Sequence, residues 1–89
     1  MDIGIEEAAK IIGGALMSER EPLTGEARKL SWIVAQQFLG NAREIASIPS
    51  DVAQSKAMTM LVGAAGMAYG LGYLTFDELD EAISKLGVK

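Results

Sequence analysis

The chain has 89 residues, 49% of them hydrophobic and 22% charged, with a formal net charge of −4 and neither Cys nor His. That length holds one domain, 1–89, and a domain so small buries only about 60–65% of its unfolded surface, which makes an isolated copy marginal. The missing Cys excludes disulfides, thiolate nucleophiles and Cys-type metal sites, and the missing His removes the usual general base and the commonest metal ligand.

Period and punctuation predict an all-α fold, a small bundle of four helices at about 3–16, 25–47, 51–72 and 76–86. Asp2 is the expected cap of the first helix, whose apolar face is Ile5, Ala8, Ile12, Ala15 and Leu16, with Glu6 and Lys10 paired at i,i+4 on the other side. Gly13-Gly14 weakens its last turn. A polar connector from Ser18 to Pro22 follows. Thr24 is the expected cap of the second helix, and Leu30, Val34, Phe38, Ala42 and Ile45 are its expected inner stripe. Its outer side carries Arg28, Lys29, Gln36, Gln37, Arg43 and Glu44.

Pro49 disfavours a helical Ile48, and Ser50 or Asp51 offers the oxygen that starts the third helix, with Gln54 three residues past Asp51. This helix is apolar on two faces. One has Met58, Leu61, Val62, Ala65 and Ala68, the other Ala57, Met60, Ala64, Met67 and Leu71. Such a helix must be covered on several sides. Its remaining face is Lys56, Thr59, Gly63, Gly66, Gly70 and Tyr73, where each interior glycine costs about 1 kcal/mol relative to alanine. Two accounts offset that cost: close approach of another helix, from this chain or a second copy, or a smooth groove that admits a ligand. Residues 57–76 are uncharged, yet Thr59, two tyrosines and four glycines make the stretch only moderately apolar and no basic cluster flanks it. The acidic start, Met1 to Glu7, is unlike a basic secretory leader. The expectation is a cytoplasmic protein with no membrane segment, in the host cytoplasm if the source is viral.

Thr75-Phe76-Asp77-Glu78 is a capping box that opens the fourth helix. Phe76, Leu79, Ile83 and Leu86 are expected inside, Glu81 and Lys85 are expected to pair outside, and Gly87 ends the helix. The run Leu74 to Leu79 resembles the second helix of a SHOCT-type oligomerisation hairpin and the flank of an EF-hand, but no D-x-D-x-D-G loop precedes it and calcium is not expected.

Charge is unevenly placed. Residues 1–26 carry six acids and two bases, 77–89 four acids and two bases, and 27–76 a balance of +2. The acidic total argues against duplex nucleic acid, while the mildly basic middle suits either a small anion or a solvated surface. Catalytic machinery is not legible. Asp77, Glu78, Asp80 and Glu81 sit in the first turns of a helix, where carboxylates complement the dipole, no Ser-x-x-Lys pair occurs and no Walker-type loop is present. No catalytic residue, cofactor or metal is expected. Arg28, Lys29 and Trp32 fall within about one helical turn, so Arg28 and Trp32 at i,i+4 can clamp a nucleobase and its phosphate; equally, the lone Trp can be a packing anchor.

From Pro49 onward, Pro49, Ser55, Ala57, Thr59, Leu61, Ala64 and Ala68 fit a helix break at proline and the regular Ser, Ala, Thr, Leu and Ala of the helix after it. In these positions the chain resembles the small phage anti-CBASS sponge family; upstream, Arg28, Ala42 and Ile45 fit the preceding helix after a one-residue shift. The match spans about 40 of the 89 residues. Val62, Gly63 and Gly66 stand where that family has acidic and polar positions, and the capped fourth helix has no counterpart in it. The resemblance implies a helical homo-oligomer that sequesters cyclic nucleotide signals, with Arg28, Lys29, Trp32 and Lys56 as candidate ligand-binding residues and Thr59, Gly63, Gly66, Gly70 and Tyr73 as the packing face. The alternative reading is an acidic interaction module, an inhibitor, immunity or regulatory protein, that presents Asp77, Asp80 and Glu81 to a protein partner.

Overall fold

The computed structural model of the chain describes residues 3–18 and 25–87. Four helices account for them: α1 (Ile3–Leu16), α2 (Glu26–Ala46), α3 (Asp51–Gly70) and α4 (Phe76–Lys85). The all-α bundle expected from the sequence is the fold observed, with no strand among the described residues. The expected caps Asp2 and Thr24, and the connector beyond Ser18, lie outside the described residues.

Local chemistry explains each boundary. α2 starts after Gly25, whose φ of 84° is left-handed and open to glycine alone at little cost, so the N-cap position carries no side-chain cap. Ser50 caps α3, its hydroxyl accepting from the Ala53 amide. Gln54 turns backwards instead, donating to the Ala46 carbonyl at 2.6 Å and the Ile48 carbonyl at 3.3 Å. It thereby satisfies the Ala46 carbonyl at the end of α2, where intrahelical donors run out, and joins the Ser50 amide on the Ile48 carbonyl. α3 closes in a Schellman turn: Tyr73 N–H donates to Ala68 O, Gly72 N–H to Tyr69 O, and Gly72 takes φ 88°. The capping box at Thr75 and Glu78 is complete, with both reciprocal bonds formed.

α2 and α3 form the longest pair, an antiparallel hairpin: Arg28 near the start of α2 reaches Leu71 past the end of α3, while Gln54 near the start of α3 reaches Ala46. α1 packs against all three other helices, and α4 touches α1 and α3 but not α2. α2, with 21 residues the longest helix, is about 30 Å long. Every fully buried residue among those described is apolar or aromatic, and α1 contributes the expected face Ile5, Ala8, Ile12, Ala15 and Leu16 together with Ala9.

Three packing expectations are corrected. The inner stripe of α2 is Ala35, Leu39, Ala42 and Ala46, one position round from the stripe read in the sequence. Of that stripe only Ala42 is buried; Phe38 and Ile45 are half-buried, and Leu30 and Val34 are 61% and 36% exposed. The physical reason is size. α2 and α3 pack together and the buried residues of both are mostly alanine; small side chains let helix axes approach, which leaves the bulky residues at the flank. Phe76 is likewise 67% exposed rather than inside, its ring meeting Tyr69 edge-on at 6.4 Å. Lys85 does not pair along its own helix with Glu81 but crosses to Glu7 of α1 at 3.4 Å, whereas the Glu6–Lys10 pair forms as expected at 3.6 Å.

Candidate functional site

The residues singled out for ligand binding are placed by two hydrogen bonds between helices. Arg28, half-buried in the first turn of α2, donates from Nη2 to the Leu71 carbonyl at 2.6 Å. One turn on, the Trp32 indole N–H donates to the Leu16 carbonyl at 2.9 Å. Both side chains satisfy carbonyls at the C-terminal ends of neighbouring helices, where the backbone has run out of intrahelical donors. Trp32 therefore acts as a packing anchor between α1 and α2. Lys29 and Lys56 are exposed. Lys56 lies fifteen residues before Leu71, about 22 Å along α3, so one chain does not gather Arg28, Lys29, Trp32 and Lys56 around a common point.

The glycine face of α3 divides. An added Cβ at Gly63 would meet Phe38 at 3.4 Å, whereas at Gly66 and Gly70 it would meet nothing within 4 Å. Thr59 is exposed, and its hydroxyl donates back to the Ser55 carbonyl. Tyr73 leaves this face altogether and is buried in the core. A Cβ at Gly63 would thus sit in ordinary van der Waals range of one α2 side chain, while Gly66 and Gly70 are bare. A shallow open depression of about 270 Å³ lies on the adjoining side of α3, and the described residues lining it are Ser55, Met58, Thr59 and Val62. None of the four candidate ligand-binding residues lines it.

Asp77, Asp80 and Glu81 are all exposed on α4, as a partner-facing surface requires. Among the described residues no group of three or more acidic side chains is gathered so as to hold a metal ion. No helix among them is long and apolar enough to cross a membrane.

The surface that sequence reasoning missed is the outer row of α2. Leu30, Ile33 and Val34 are all exposed, with Leu30 and Ile33 at 61% and 44%. A signal for it exists in the sequence. α2 carries two stripes at 3–4 spacing, Arg28-Trp32-Ala35-Leu39-Ala42-Ala46 and Leu30-Ile33-Gln37-Gly40-Glu44, and only one can face the core. No family model, no curated protein and no solved structure matches this chain.

Proposed function

We propose that this protein is a non-enzymatic helical module that works by self-association, a second copy covering the outer surface of α2. One observation carries the reading: Leu30, Ile33 and Val34 stand exposed in a row on a helix whose opposite side is the core. Apolar rows of this kind on a small domain mark interaction surfaces, and burying them between copies supplements a core that is thin for lack of chain length.

The narrower proposal, that the assembly sequesters a cyclic nucleotide in phage anti-defence, has the family resemblance behind it. Lys29 and Lys56 are the exposed cations it would use, and they would have to come from different copies to meet one ligand. A second reading, an acidic module that binds a basic protein partner, is favoured by the exposure of Asp77, Asp80 and Glu81 on α4.

Light scattering on a sizing column, followed by native mass spectrometry, tests the proposal. The expected result is a dimer or higher assembly, with any co-purified nucleotide seen as added mass. A monomer at on the order of 100 µM, well above a micromolar Kd worth about 8 kcal/mol, overturns it.

A further inference from the structure

We propose that the copies pair through α2 in an antiparallel, two-fold arrangement centred on Gln37, with Lys29 of each copy meeting Glu44 of the other. This rests on the self-association reading above and specifies its geometry. The outer row Leu30, Ile33, Gln37, Gly40 and Glu44 is spaced 3, 4, 3, 4, so Gln37 is its midpoint. The two halves of the row differ in kind. Before Gln37 come a cation and bulk: Lys29, Leu30, Ile33 and Val34, all exposed. After it come the small, polar and acidic residues Gly40, Asn41 and Glu44, also exposed, and the exposed Arg43, whose guanidinium is turned towards α1 and donates to the Ala9 carbonyl at 3.4 Å. A Cβ built on Gly40 would meet nothing within 4 Å, so the backbone there is open to a neighbouring surface.

A two-fold axis through Gln37 and perpendicular to the helix brings the large half of each copy against the small half of the other. Ile33 then lies within one residue rise, about 1.5 Å, of level with Gly40 of the second copy, and bulk enters the place where side chain is missing. Lys29 lies within the same distance of level with Glu44 of the second copy, and the symmetry makes that pair twice. Neither Lys29 nor Glu44 has an ion-pair partner among the described residues of its own chain. The parallel, in-register alternative sets Lys29 beside Lys29, Glu44 beside Glu44 and Glu26 beside Glu26, all of them repulsive. Charge and size thus choose the same direction, and the occupant they fit is a second copy of the chain, because one row carries both complementary halves.

The absence of Cys allows single-cysteine crosslinking without background. Lys29→Cys and Glu44→Cys are prepared separately, treated with a short bismaleimide alone and after mixing, and compared beside light scattering of the parent. The expected result is a crosslinked dimer that forms in the mixture and far less in either variant alone. Crosslinking of each variant with itself, with no gain on mixing, overturns the antiparallel direction. An assembly by light scattering without any crosslink overturns the α2 interface while leaving self-association intact, and a monomeric parent overturns both. Charge reversal is the second measurement: Lys29→Glu or Glu44→Lys alone weakens association roughly three- to thirtyfold, and the double reversal restores it. Single reversals that leave association unchanged overturn the pairing.

Discussion

The indole N–H of Trp32 donates to the backbone carbonyl of Leu16 at 2.9 Å, tying the first half of α2 to the end of α1. Trp32→Phe keeps most of the ring and removes the donor, so it is expected to cost about 1–2 kcal/mol. Urea denaturation followed by circular dichroism reads this as a lower midpoint at unchanged slope.

Arg28, one turn before Trp32, makes the equivalent tie from α2 to the end of α3, at the carbonyl of Leu71. The donor is charged, so Arg28→Met is expected to cost about 1.5–3 kcal/mol, towards the lower figure because the side chain is only half-buried. Arg28→Lys recovers part of the loss, since an ammonium supplies a donor without the planar fork. A ligand-only role for Arg28 predicts no change in melting temperature for either variant.

The helical glycines make a graded series. Gly14→Ala and Gly66→Ala add a methyl group to open space and are each expected to stabilise by about 0.5–1 kcal/mol, a rise of several degrees in Tm for a domain of this size. Gly13→Ala is expected to gain less or to lose, because its Cβ would lie 3.1 Å from Cδ2 of the buried Leu39 at the α1–α2 contact. Thermal melts of the three variants side by side give the order.

Thr75 holds both halves of the capping box together. Thr75→Ala is expected to cost about 1 kcal/mol, and Thr75→Asp, which keeps an acceptor at the N-cap, much less. Hydrogen exchange at the first amides of α4 localises the effect, with faster exchange there in the alanine variant.

Leu30→Ser separates folding from association. Leu30 is mostly exposed, so the monomer's stability at low concentration is expected to stay within about 0.5 kcal/mol of the parent. The concentration dependence of Tm that accompanies self-association is expected to shrink.

Helix number, helix type and most boundaries were legible in the sequence. Pro49 and Ser50 mark the α2–α3 break, the capping box at Thr75 marks the start of α4, and the α1 face follows from the spacing of Ile5, Ala8, Ile12, Ala15 and Leu16. These signals are local: proline removes a donor, a hydroxyl at the N-cap replaces one, and a 3.6-residue period repeats within a few turns. The choice between two stripes on α2 was not local. Both have helical spacing, and the sequence favours the stripe with the larger residues. The structure takes the alanine stripe, and the buried residues of α3, which packs against it, are also mostly alanine.

The candidate ligand-binding residues divide in the same way. The sequence places Arg28, Lys29 and Trp32 within about one turn, and they are there. Only the tertiary structure decided that Arg28 and Trp32 satisfy the carbonyls of Leu71 and Leu16, each more than fifteen residues away in the chain, and that Lys56 lies far along α3. It likewise placed Phe38 over Gly63 and left Gly66 bare. What neighbouring residues do to one backbone segment is written in their order; which of two equally periodic faces is buried depends on the shape of the helix it meets, and that is settled only when the helices pack.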